Sequence, residues 1–151
     1  MRFLLDVNVL IALLDADHLR HSDARAWMLA NGAAGWASCT LTQNGCLRIM
    51  ASPAYPGALP VAAVAERLRK ATAHPAHEFW ACDISLLDTR MVSPLHLLGP
   101  SHLTDIYLLA LAVRHGGRLV TMDTRISLGA VVGARPEHLV VLGKNGGRPT
   151  T

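Results

Sequence analysis

MRFLLDVNVLIALLD (residues 1–15) opens the chain and decides how the rest is read. Phe3-Leu4-Leu5 is a short, wholly apolar run, which predicts a strand buried on both faces. Residues 9–14 continue as an apolar helix, so Asp6 falls at a strand-to-helix junction. A carboxylate between two buried elements is costly unless it is solvated, paired or on a metal. Two readings of Asp6 therefore stand side by side. It caps the helix by accepting a backbone N–H, or it is a functional group at the carboxyl end of a strand, where open α/β sheets place their sites.

The arrangement recurs late in the chain, where the apolar run Leu119-Val120-Thr121-Met122 is followed by Asp123. Between the two runs, strand-like and helix-like segments alternate. Strands are expected at residues 3–5, 36–39, 79–82, 118–122 and 139–142. Helices are expected at 9–14, about 21–31, from Thr40 or Thr42 to Met50, at 61–71, 84–92 and 103–115, with Ser101 capping the last. Such alternation implies an α/β fold: a central, mostly parallel sheet of about five strands flanked by helices. The 151 residues fit one domain, 1–142, followed by a mobile basic tail, 143–151.

Composition narrows the class. A hydrophobic fraction of 51% and a mean hydropathy of +0.29 exclude a disordered chain. The longest apolar stretch, residues 106–113, is too short to cross a bilayer. Met1-Arg2 leads directly into the first strand, so no separate signal peptide is expected. Cys39, Cys46 and Cys82 lack paired spacing and read as reduced core residues of a cytoplasmic protein. The net charge of +3 permits a nucleic-acid or acidic protein partner.

Asp6 and Asp123 at the ends of neighbouring parallel strands would converge on one rim of the sheet. Asp105, near the start of the helix that feeds the Asp123 strand, is aimed at the same rim, although an acid is also favoured there by the helix dipole. Clustered carboxylates without Cys or His at ligand spacing suit a hard cation, Mg²⁺ or Mn²⁺. Such a site can activate water for in-line attack on a phosphodiester. Asn8 and Thr121 are neutral hydrogen-bonders placed to orient those acids, or to serve ordinary strand-end bonding. Ser101, His102 and Asp105 lie too close in sequence for a nucleophilic triad. The polar run Asp15, Asp17, His18, His21 and Asp23 reads as a turn rather than a metal site. Arg48, Arg114, Arg118 and Arg125, in or beside the acidic motifs, are candidates for nucleic-acid phosphates or else solvated surface residues, and the basic tail is a candidate for the same kind of partner.

LLDVNVLIAL, LTQNGCLRI and HLTDIYLLALAVRHGGRLVTMD, in that order, resemble the PIN-domain ribonucleases, in particular the VapC-type toxins of toxin–antitoxin pairs. The resemblance spans residue 1 to about 142 and implies the three-layer PIN fold. It also implies Mg²⁺- or Mn²⁺-dependent RNA cleavage, homodimerisation, and inhibition by a cognate antitoxin whose C-terminal segment inserts a basic side chain into the acidic site. Carried over, Asp6 and Asp105 match the metal-binding acids of the family, and Asp123 matches its further acid after the strand, so that all three are expected to hold the metal. Gln43 stands where the family usually has Glu, which keeps an oxygen but removes a charge. Asp6, Gln43, Asp105 and Asp123 are thus the expected catalytic set. The departure at Gln43 admits a second reading, a weakened PIN fold that mainly binds antitoxin or RNA. A haloacid-dehalogenase-like phosphatase, suggested by Asp6-Val7-Asn8, ranks behind both, because that family wants a second Asp at position 8.

Overall fold

A computed structural model describes residues 1–143. The strands are β1 (Phe3–Leu5), β2 (Trp36–Cys39), β3 (His77–Trp80), β4 (Arg118–Thr121) and β5 (Leu139–Val141). The helices are α1 (Val7–Leu14), α2 (His21–Asn31), α3 (Thr40–Met50), α4 (Val61–Thr72) and α5 (Leu103–Arg114). All strand pairs are parallel, in the order β3-β2-β1-β4-β5. The expected α/β architecture is therefore the observed one. The expected tail lies outside the described residues from position 144 on. Among the described residues no helix is long and apolar enough to cross a membrane.

Side chains alternate across the sheet and build two cores. Leu4, Ala37, Cys39, Trp80 and Leu119 face α5, whose Leu108, Leu109 and Ala112 cover them. Phe3, Leu5, Trp36 and Val120 face the other way, onto Val9 and Leu10 of α1, Cys46 and Met50 of α3, and Val64 and Leu68 of α4. This two-sided burial is why β1 reads as an uninterrupted apolar run rather than an alternating one. Each fully buried Leu or Val contributes roughly 1.5–3 kcal/mol.

Strand order explains where a site must form. The chain adds β2 and β3 on one side of β1, then crosses to add β4 and β5 on the other. The direction of winding therefore reverses between β1 and β4, opening a crevice at their carboxyl ends. Asp6 and Asp123 follow those two ends.

Four local expectations are corrected. α1 begins at Val7 rather than residue 9, because Asp6 is its N-cap. β3 starts at His77 and stops at Trp80, not at 79 and 82. Its partner β2 runs only from Trp36 to Cys39 before turning into α3, so pairing ends with the Cys39–Trp80 register. Residues 84–92 form turns instead of a helix. Ser85 Oγ accepts from the Leu87 N–H at 3.1 Å and Asp88 Oδ1 from the Arg90 N–H at 3.0 Å, local bonds that compete with helical ones. Ser101 is inside a single 3-10 turn, Pro100–His102, and it is His102 that precedes α5, without a side-chain cap.

Candidate metal centre

Asp6 satisfies both readings of its position at once. Its Oδ1 accepts from the Val7 N–H at 2.7 Å, capping α1, and its Oδ2 accepts from the Thr121 hydroxyl at 2.7 Å. Only 4% of the residue is exposed. Burial raises its pKa, the two hydrogen bonds oppose that rise, and the charge of Asp123 adds to it. Thr121, at the end of β4 and fully buried, also accepts from the Asp123 N–H at 3.1 Å. One hydroxyl thus ties the two strand-end acids together.

Asp105 stands in the first turn of α5. Its carboxyl is pushed up to about 6, first by burial, then by the negative charges of Asp6 and Asp123. Asp123 is held below the usual carboxylate range by Arg125, whose backbone N–H and Nε donate to Oδ1 and whose terminal nitrogen donates to Oδ2. Donor atoms of His102, Asp105 and Asp123 all lie within 4.8 Å of one another. Asp6 adjoins this group closely enough for its charge to act on Asp105.

His102 was not among the expected site residues. Its Nδ1 is buried and has no hydrogen-bond partner, at 4.0 Å from Asp105 Oδ2. An unpaired buried nitrogen beside the Asp105 carboxylate, on a ring grouped with Asp105 and Asp123, is a donor set that a divalent cation fits. The sequence signal for it is the three-residue spacing of His102 and Asp105, which puts both on one side of a helix start.

Gln43 lies on α3, which starts directly after β2. A Cβ on Gly45 would stand 2.8 Å from Val7 Cγ2, so this glycine lets α3 pack directly against the start of α1. Gln43 Nε2 donates to Ser38 Oγ at 3.0 Å, and Ser38 Oγ is 2.8 Å from His77 Nε2. Burial lowers the His77 pKa, keeping the ring neutral and able to accept from Ser38. Gln43 thus turns its amide nitrogen to a neutral relay of Ser38 and His77.

The remaining candidates separate by position. Asn8 and Arg48 are exposed. Arg125 is engaged by Asp123. Arg118 begins β4 while Asp123 follows its end, which places the two roughly 15 Å apart along the strand. Arg114 ends α5 while Asp105 is in its first turn, roughly 13 Å away. Those two arginines are removed from the acidic group. In the polar run after α1, Asp15 accepts from the Asp17 N–H and His18 from the Arg20 N–H, as a turn requires, and Asp15 also accepts from the distant Tyr55 hydroxyl.

A buried capping acid, a second acid after the neighbouring strand and a third on the helix before that strand define a class of α/β protein with an acidic rim. The chain belongs to the PIN-domain family, whose model matches residues 3–131. It is 51% identical to Ribonuclease VapC44 of Mycobacterium tuberculosis over 94% of this chain and 100% of the relative. It is 41% identical to Ribonuclease VapC38 of the same organism, covering 82% and 86% of the two chains. Among solved structures, VapC20 of M. tuberculosis, a sarcin–ricin loop cleaving toxin, shares the fold at a TM-score of 0.55 and 16% identity, covering 89% of this chain and 99% of that one. VapBC2 from Rickettsia felis, bound to a promoter DNA fragment, shares it at 0.55 and 12% identity, covering 82% and 89%.

Proposed function

We propose that this chain is a metal-dependent endoribonuclease of the VapC type, the toxin of a toxin–antitoxin pair, with Asp6, Asp105 and Asp123 holding Mg²⁺ or Mn²⁺. The observation that carries the metal is geometric: donor atoms of His102, Asp105 and Asp123 gather within 4.8 Å of one another, beside the buried carboxylate of Asp6. Asp105 is pushed up to about 6 by burial and two neighbouring carboxylates, a conflict that a cation resolves. The identity to named ribonucleases along nearly the whole chain supports the reaction.

When bound, the cation supplies charge to the scissile phosphate and lowers the pKa of a water. Asp6 is fixed by Val7 and Thr121, so its carboxylate is held in place before substrate arrives. Arg125 holds Asp123 and, at the exposed edge of the site, meets the phosphate backbone. Asn8 and Arg48 are both exposed and free to meet the RNA strand. Gln43 orients substrate or water through its carbonyl oxygen, since its nitrogen is occupied by Ser38. A cognate antitoxin and a second copy of the chain complete the assembly, with residues 1–142 as the PIN domain and the basic tail available to RNA or antitoxin.

The neutrality of Gln43 favours one alternative, a silenced enzyme kept for binding. Purified chain freed of antitoxin, incubated with total bacterial RNA and Mn²⁺ or Mg²⁺, separates the two. Discrete cleavage that is abolished by chelator and by Asp105→Asn is the expected result. Cleavage only by Gln43→Glu would establish the binding module instead.

A further inference from the structure

We propose that His102 is a ligand of the metal in this chain, supplying through Nδ1 a donor that the neutral Gln43 does not, and that it biases the site toward Mn²⁺ over Mg²⁺. The inference rests on the reading of the acidic rim as a metal centre.

Three observations meet at this ring. Its Nδ1 is buried without a partner, although the side chain as a whole is 37% exposed, so the burial is specific to the nitrogen beside Asp105. The 4.0 Å to Asp105 Oδ2 is too long for a hydrogen bond. It is nevertheless a natural spacing for two donors on one cation, since bonds of about 2.1 Å separate neighbouring donors by about 3 Å and opposite ones by about 4.2 Å. Finally, His102, Asp105 and Asp123 present donor atoms within 4.8 Å of one another, each from a different part of the rim: the 3-10 turn, the first turn of α5 and the loop after β4.

Ligation explains what otherwise has no account. A buried nitrogen left unbonded is costly, and a cation between His102 and Asp105 satisfies it through the lone pair of the neutral ring, the proton residing on Nε2. Chemical preference follows from the donor. Mn²⁺, although also satisfied by oxygen, is a first-row transition ion that accepts an imidazole nitrogen more readily than Mg²⁺, which prefers oxygen and retains its waters. Replacing a carboxylate by an imidazole in the donor set therefore shifts selectivity toward Mn²⁺.

The test reads metal binding rather than cleavage. The full chain, stripped of metal, is titrated with Mn²⁺ and free ion is counted by continuous-wave electron paramagnetic resonance. Pulsed measurements on the bound ion then look for coupling to nitrogen. The wild type is expected to show ¹⁴N coupling that becomes ¹⁵N coupling when histidine is ¹⁵N-labelled, a comparison that needs no mutation. His102→Gln should lose the coupling and bind Mn²⁺ roughly tenfold more weakly, while Mg²⁺ affinity, measured by competition, changes by less than about threefold. Mn²⁺ bound in an Asp105-dependent manner without nitrogen coupling, or coupling that survives in His102→Gln, overturns the role of His102 and leaves the metal centre standing. A wild type that binds no Mn²⁺ overturns both.

Discussion

The Thr121 hydroxyl donates to Asp6 Oδ2 at 2.7 Å, joining residues 115 positions apart at the carboxyl ends of β4 and β1. Thr121 Oγ1 in turn accepts from the Asp123 N–H. A single buried side chain therefore sets the spacing of two acids that the chain order keeps far apart.

Thr121→Val conserves shape but leaves Asp6 Oδ2 buried without its donor. The expected cost is about 1–3 kcal/mol in urea unfolding. Because the Thr121 bond opposes the burial-driven rise in the Asp6 pKa, that pKa should rise further in the variant. Metal affinity at neutral pH should fall with it, which calorimetric titration will show.

Asp105→Asn is expected to abolish cleavage and yet stabilise the metal-free fold. The carboxyl keeps its proton to about 6 when folded, against 3.8 for its ordinary value. Between those two pH values the folded state binds more protons than the unfolded, so stability falls as pH rises through the window and stays low above it. The full rise corresponds to about 3 kcal/mol, and solvent at the rim screens part of it, leaving on the order of 1–2 kcal/mol. Urea unfolding in chelator at about pH 4.5 and pH 7.5 should show a loss that is smaller in the variant than in the wild type, since Asp6, also raised by burial, remains.

Metal affinity should itself climb with pH across the same window, since the cation must displace the Asp105 proton. A titration of Mn²⁺ affinity that is flat between about pH 5 and pH 7 would contradict the placement of Asp105 at the metal.

Gln43→Glu should strengthen metal binding and also raise the pKa of His77. Gln43 donates to Ser38, which in turn is bonded to His77 Nε2. A glutamate accepts instead, so Ser38 turns its proton to position 43 and His77 can bond Ser38 only as a donor, which favours the protonated ring. Imidazole resonances followed by NMR against pH will report the shift.

Arg125→Gln should release Asp123, whose carboxyl rises toward its ordinary range. Metal affinity is expected to increase as a positive neighbour is removed. RNA affinity should fall, with the slope of binding against salt shallower by about one charge. Filter binding over a salt series checks the second effect.

Much of the fold was legible because burial imposes composition. Phe3-Leu4-Leu5 is apolar on both faces and the β4 segment nearly so, each strand being covered on both sides. Residues 84–92 misled because their apolar spacing suits a helix, whereas the hydroxyl of Ser85 and carboxylate of Asp88 bond their own backbone. The ends of β3 depended on β2, a partner about 40 positions away, and could not be read locally.

Asp6, Asp105 and Asp123 stood out along the chain because acids beside apolar runs are costly and few. Where the remaining groups go was decided in three dimensions. Thr121 reaches Asp6, Arg125 occupies Asp123, Arg114 and Arg118 fall at the far ends of their elements, and Gln43 turns its nitrogen to Ser38. His102 shows the division most sharply: in sequence it is a polar residue before a helix, and only the packed rim groups its ring with two carboxylates and leaves its buried Nδ1 without a hydrogen bond. The physical reason is range. Hydrophobic periodicity is a local property of consecutive residues, while electrostatic pairing depends on which distant side chains the sheet brings within a few ångströms.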